Sequence, residues 1–155
     1  MDQNKIEIIN FAEGLEEPIK TLNYEWLEKY FKIEESDIRS LSNPKEEIID
    51  KGGFIFYAKL NNEIVGTCSL LQKNDTTFEI GEMAVSENAQ GHRIGTLLLE
   101  HCLNFAKDHQ INTLILYSNT QLAPAIHLYR KYGFYEIEME KGLYERANIK
   151  MEKRL

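Results

Sequence analysis

Seven residues, Gln90-Gly91-His92-Arg93-Ile94-Gly95-Thr96, stand where a strand-forming stretch gives way to a helical one. Their types suit the binding of an anion. The first N–H groups of a helix lack carbonyl partners, and the macrodipole adds partial positive charge there. Glycines at 91 and 95 would let a phosphate approach that backbone closely. Two familiar phosphate motifs do not fit. There is no Gly-Lys-Ser/Thr ending, so this is not a P-loop. The spacing of Gly91 and Gly95 also fails the Gly-x-Gly-x-x-Gly dinucleotide pattern, and a meander rather than a βαβ unit precedes it. Two carboxylates, Glu79 and Glu82, lie on the strand entering the loop. Alternation puts them on opposite faces of an ideal strand, a parity that a bulge near Gly81 would change.

The elements that must position these groups can be read from periodicity. Ile6 to Phe11 suggests a first strand. Ile19, Leu22, Trp26, Leu27 and Tyr30 recur at three- and four-residue spacing, predicting a helix from Pro18 to Phe31. Trp26 and Tyr30 are expected in its core face, with the lining of a substrate pocket as the alternative. Glu34-Glu35-Ser36-Asp37 reads as a solvated acidic turn, and Arg39 beyond it as exposed. Asn43 and Pro44 carry a helix-start signal, with Gly52-Gly53 as the stop. Phe54 to Leu60, a turn at Asn61-Asn62 and Glu63 to Leu71 form a hairpin. Thr76 to Val85 is a third antiparallel strand, followed by a polar loop over 86–91. Ile94, Leu97, Leu98, Cys102, Phe105 and Ala106 then mark one stripe of a helix. Ile111 to Tyr117 is a nearly continuous apolar strand, typical of a buried parallel neighbour. Pro124 opens a helix through Tyr132 that Gly133 ends. Phe134 to Met139 and Tyr144 to Met151 read as closing strands.

Length and composition bound the rest. A chain of 155 residues suits one domain over residues 1–155, large enough to fold on a single core without a metal or disulfide staple. Its 18 Lys and Arg against 25 Asp and Glu give a net charge of −7. That balance argues against a general nucleic-acid or anionic-membrane binder, which needs a basic face. There is no long apolar run and no signal-peptide pattern at Met1-Asp2-Gln3-Asn4, so a cytoplasmic location is expected. Cys68 and Cys102, distant in sequence and in apolar contexts, read as reduced core residues. No His/Cys/carboxylate cluster has metal-ligand spacing. His101, His109 and His127 are expected on helix surfaces.

The loop and its neighbours resemble the GNAT N-acetyltransferase family, whose acetyl-CoA loop runs Gln/Arg-x-x-Gly-x-Gly/Ala after a strand ending like Met83-Ala84-Val85. Gln90, Gly95, Ile94 and Leu97-Leu98-Leu99 match, while Arg93 stands at the pattern's middle glycine. An arginine there predicts ordinary backbone angles and a side chain able to reach a CoA phosphate. A second segment, Asn119-x5-Ala125-x2-Leu128-Tyr129-x3-Gly133-Phe134, matches in the expected order. The resemblance is strongest over residues 79–134.

It implies an α/β (α+β) fold: a mixed, mostly antiparallel twisted sheet of six to seven strands flanked by about four helices. It also implies acetyl-CoA as co-substrate without a metal, and a small-molecule or peptide amine as acceptor. Nucleic acid and membrane are not expected as partners, and the chain would act as a monomer or homodimer. A lysine-like amine, with a pKa of about 10.4, lies some 3.4 units from its nucleophilic form at pH 7, a cost of about 4–5 kcal/mol that a base would offset. The resemblance assigns that base to Glu79, acting through water, with Glu82 second. It assigns the acid that protonates the departing thiolate to Tyr129, with Tyr132 a weaker alternative. It places Met83, Ala84, Val85, Gln90, Gly91, His92, Arg93, Ile94, Gly95, Thr96, Asn119, Ala125 and Tyr129 against the CoA. The Val85 N–H would hold the acetyl carbonyl, and Asn119 would bond the pantetheine arm or cap the next helix. Tyr144 and Arg146, read as part of a late strand, would edge the acceptor site. The alternative is a non-catalytic acyl-CoA sensor on the same scaffold.

Overall fold

The computed structural model describes residues 5–155. Strand β1 (Ile6–Asn10) leads to helix α1 (Glu17–Tyr30) and helix α2 (Glu35–Ser42), then a single π-helical turn at Lys45–Ile49. Strands β2 (Phe54–Leu60), β3 (Glu63–Gln72) and β4 (Thr77–Val85) follow, with a 3-10 turn at Glu87–Ala89. Helix α3 (Ile94–Asp108), strand β5 (Thr113–Ser118), helix α4 (Ala123–Lys131) and strands β6 (Tyr135–Ile137) and β7 (Ile149–Arg154) complete the chain. The seven strands form one sheet in the order β1-β2-β3-β4-β5-β7-β6, parallel between β4 and β5 and antiparallel elsewhere. This is the mixed, mostly antiparallel sheet with four α-helices that the sequence implied.

The apolar run in β2 is explained by burial on both faces. Ile55 and Tyr57 pack with Ile19, Leu27, Leu41 and Ile48 under α1 and α2, while Phe56 and Ala58 join the larger cluster under α3. At the hairpin tip Asn61 and Asn62 take φ of 52° and 72°, the left-handed pair that a two-residue turn of matching twist requires. Helix α3 lies close on β3 because position 66 has no side chain. A Cβ there would stand 2.9 Å from Ile94 Cγ2 and 3.2 Å from Leu98 Cδ1.

Several expectations are overturned. Glu34 to Asp37 is no solvated turn: it starts α2 through a capping box in which the Glu34 and Asp37 side chains and backbones bond reciprocally. Asp37 is buried. Asn43 caps nothing forward, and its amide donates back to Arg39 O at 3.1 Å. Tyr144 and Arg146 belong to the β6–β7 connection, since β7 begins only at Ile149. The cysteines, by contrast, are the free core thiols expected, and Cys68 and Cys102 meet there with their sulfurs 3.5 Å apart. Their mutual hydrogen bond and burial push the Cys102 thiol well above its usual range. His101, expected on the helix surface, is half-buried. Its ring packs edge-on against Phe56 at 4.5 Å, and burial lowers its pKa.

Candidate active site

The parallel pairing of β4 and β5 spans only Thr77 to Ile80 against Thr113 to Leu116. Beyond Ile80 the two strands have no ladder between them, and a cavity of about 330 Å³ opens where they part. Its walls include residues 79–85 of β4 and 116–119 at the end of β5. The cause lies in β4 itself. Ser69 pairs with Gly81 but Thr67 with Ala84, so β4 carries one extra residue. Glu82 takes φ of 49° at this bulge, a conformation that costs a non-glycine residue roughly 1 kcal/mol or more. Asn23 on α1 pins it, its buried amide donating to Ile19 O at 2.9 Å and Glu82 O at 3.2 Å. The bulge changes the parity, and Glu79 and Glu82 both line the cavity instead of facing opposite ways.

The two carboxylates differ in environment. Glu79 is almost fully buried; Oε2 accepts a bond from Tyr144 Oη at 3.0 Å and Oε1 lies 2.9 Å from Lys73 Nζ, an ion pair without hydrogen-bond alignment. Glu82 accepts from Ser40 Oγ at 3.0 Å. Burial pushes its pKa up to about 7; the Ser40 bond and the Arg146 charge oppose that shift, while Asp37 and Glu79 add to it.

Tyr129 stands on the other side, with its hydroxyl 3.9 Å from Met83 Sδ. Burial pushes the phenol well above its ordinary value, so it stays protonated at neutral pH. Of the residues expected against a cofactor, Met83, Ala84, Val85, Gln90, Gly95, Asn119, Ala125 and Tyr129 share this one cavity. Gly91, His92, Arg93, Ile94 and Thr96 lie outside its wall, in the loop and first turn of α3. The Ile94 side chain faces the core, which leaves only its backbone for a ligand. Asn119 uses its amide to donate to Arg146 O at 2.8 Å and to accept from Gln121 N at 2.9 Å, so it braces the β6–β7 connection and the turn before α4.

Arg93 departs from expectation. It takes φ of 58° and ψ of 29°, so the left-handed turn that a glycine would favour is kept with an arginine in it. Arg93→Gly should therefore raise Tm by about 2 °C, since relief of roughly 1 kcal/mol is partly offset by the added freedom of the unfolded chain. Thermal denaturation checks this, and a lower Tm would show that contacts of the arginine outweigh the strain.

The space beside this turn is open. A Cβ on Gly95 would meet nothing nearer than Met83 Cε at 3.9 Å, and one on Gly91 nothing within 4 Å. Leu97 N makes the first bond back, to Arg93 O at 3.0 Å, and no side chain caps the helix. The N–H groups of Ile94, Gly95 and Thr96 thus precede the helical ladder, available to an anion. A pyrophosphate at the turn and an extended arm along the unpaired edge of β4 fit this arrangement.

A profile of the Acetyltransferase (GNAT) family matches residues 19–134, from within α1 to just past α4, which supply most of the cavity wall; Tyr144, Arg146 and Ala147 complete it from outside that stretch. The chain belongs to the GNAT acetyltransferase family. Streptothricin acetyltransferase A of Bacillus subtilis (strain 168) is 29% identical over 105 residues, 68% of this chain and 58% of the relative. Streptothricin acetyltransferase of Streptomyces lavendulae is 39% identical over 62 residues, 38% of this chain and 33% of the relative. The matched part thus spans less than two thirds of the first relative and a third of the second. A GNAT-family acetyltransferase structure from Staphylococcus aureus Mu50 superposes with a TM-score of 0.86 at 22% identity, covering 97% of this chain and 99% of that one. PaiA N-acetyltransferase of Thermoplasma acidophilum, solved with coenzyme A, gives 0.75 at 18% identity, with 97% and 99% covered. These likenesses show the fold. No described helix is long and apolar enough to cross a membrane.

Sequence reasoning missed part of this GNAT cavity. Trp26 takes the alternative place, lining the cavity with Phe31, whose part was not foreseen, and Tyr30 is exposed. Asn23 and Ser40 hold the bulge and its carboxylate. Asn23 did leave a signal, as a polar residue beside the apolar positions Leu22 and Trp26 on a helix. Ser40 left none.

Proposed function

We propose that this chain is an acetyl-CoA-dependent N-acetyltransferase that acts as one domain on a primary amine. The observation that carries the reading is the placement of Glu82, with its pKa near 7, and a protonated Tyr129 on the walls of one cleft beside an open helix start. Acetyl-CoA, as substrate, supplies the thioester. Glu82 takes a proton from the bound ammonium, directly or through water, to give the neutral attacking amine, and its pKa suits that task at neutral pH. The neutral amine nitrogen bonds to the acetyl carbon, the carbon–sulfur bond breaks, Tyr129 gives its proton to the departing thiolate, and the second N–H proton, lost as the amide forms, returns to the Tyr129 oxygen directly or through water. The Val85 N–H, at the end of the bulged strand, holds the acetyl oxygen.

The sequence favoured Glu79 as the base. The geometry supports Glu82 better, because Glu79 is already engaged by an ammonium and a phenol. Streptothricin as the named substrate of both curated relatives supports a small-molecule acceptor over a protein one. The left-handed turn kept at Arg93 supports binding of CoA, which a non-catalytic sensor would share, so turnover is what separates the two readings.

Calorimetric binding of acetyl-CoA, with thiol release measured against a panel of amines, tests the reading. Binding with amine-dependent release is expected; binding without release from any amine would sink it. Tyr129→Phe should lower kcat by about 10²-fold while changing acetyl-CoA affinity little, since a proton donor acts in the transition state. Equal losses in both would leave Tyr129 a binding role only.

A further inference from the structure

A base that cycles between two charge states in every turnover needs, if buried, a partner that suits both. Ser40 meets this need for Glu82. Its Oγ lies 3.0 Å from Glu82 Oε1 and also 3.0 Å from the backbone carbonyl of Ser36, one turn earlier in α2. A hydroxyl carries one proton, so it donates to only one of these oxygens at a time. When Glu82 is ionised, the Ser40 proton points to the carboxylate in a charge-assisted bond. When Glu82 is protonated, its own O–H donates to Ser40 Oγ, and the Ser40 proton turns to Ser36 O. The heavy atoms stay where they are, and one hydroxyl rotation converts the first arrangement into the second.

Ser40 acts from behind the cleft. Glu82 lines the cavity and Ser40 does not, so the serine touches no substrate. Helix α2 fixes its place: Asp37, three residues earlier and on the same face, is held by Arg146 Nη1 and Nη2 at 2.7 Å each. The other groups around Glu82 have partners of their own. Asp37 and Arg146 hold each other, Glu79 accepts from Tyr144 and pairs with Lys73, and Tyr117 of β5 donates to Glu140. Helix α1 brings Asn23, Trp26 and Leu27 to the cavity, none of which titrates. Among the described residues Ser40 alone gives the Glu82 carboxyl a hydrogen bond.

We infer that Ser40 is a positioning residue for the transfer: its hydroxyl reverses direction each time Glu82 gains or loses a proton, so that the base keeps one place in both charge states. This rests on the acetyltransferase reading above, with Glu82 as its base.

Two measurements on the full chain separate the inference from that reading. In the first, carbon NMR follows the Glu82 carboxyl through pH without substrate, the signal being assigned by its loss in Glu82→Gln. Ser40→Ala removes the bond to the ionised form, the stronger of the two, so the midpoint should rise by about one pH unit. Ser40→Thr keeps a hydroxyl that can bond the carbonyl four residues back, and should restore the wild-type midpoint. In the second, kcat/KM for the fastest amine of the panel is followed through pH. In Ser40→Ala the limb should move with the midpoint, so that activity at pH 7 falls about fivefold while acetyl-CoA affinity is unchanged. A midpoint that Ser40→Ala leaves in place, or a shift that Ser40→Thr fails to repair, would overturn the inference and leave the acetyltransferase reading intact. A midpoint that moves while the limb stays would overturn Glu82 as the base, and the inference with it.

Discussion

Glu82→Gln should abolish the neutral-pH activity and yet make the protein harder to melt. As the base, Glu82 contributes a factor of about 10²–10⁴. The wild-type kcat/KM should rise with pH through about 7, where the buried carboxyl ionises, and the glutamine variant should lack that limb. The stability effect follows from the same shift. The pKa of Glu82 rises from 4.5 to about 7 on folding, so between those values the folded chain holds a proton that the unfolded chain has released. Stability from this group therefore falls as pH rises through that window, and the full cost is present above 7. It is at most about 3 kcal/mol and is reduced by whatever water reaches the recess. Glutamine cannot ionise, so the variant should match the wild type in Tm near pH 5 and exceed it by about 4 °C at pH 8. Melting curves at the two pH values, with a pH–rate profile, check both halves. A pH-independent Tm difference, or a surviving limb near 7, would exclude Glu82 as the base. If Glu79→Gln removed the limb instead, the assignment from sequence would be restored.

What could be foreseen about this site depended on whether its cause is local. The Asn61-Asn62 turn, the stripe of α3 and the glycine-bearing loop are settled by residues within a turn of one another, and each is found where the sequence put it. The bulge at Glu82 is different. It is a mismatch of register between two strands, held by an amide 59 positions away, and glutamate has no preference for positive φ that would reveal it. Helix α2 was hidden for a related reason. Its cap uses Glu34 and Asp37 in place of the usual Ser/Thr with Glu. The residue that makes burial of those acids tolerable, Arg146, lies 109 positions from Asp37. Four acidic and polar residues in a row look solvated until their distant cation is known.

That distant pair carries the second large expectation. Arg146→Met should destabilise the protein by about 3–5 kcal/mol, because Asp37 is left buried with its charge uncompensated. At roughly 2–4 °C per kcal/mol this lowers Tm by about 10 °C. Pairing it with Asp37→Asn should recover most of the loss, since the uncompensated charge is then gone; failure to recover would assign the cost to lost packing of the arginine stem. The effect should also reach the chemistry. Glu34 accepts bonds from the Arg146 guanidinium and from the N–H groups of Glu145 and Arg146, fixing the β6–β7 connection to the start of α2. That connection carries Tyr144, which holds Glu79. The Arg146 charge, moreover, is one of the factors that lower the pKa of Glu82. In Arg146→Met the pH limb of kcat/KM should therefore move to higher pH, whereas a purely structural role for the arginine would reduce active protein without moving the limb. The electrostatic coupling between latch and base is then readable in the rate profile, separately from the stability that the latch provides.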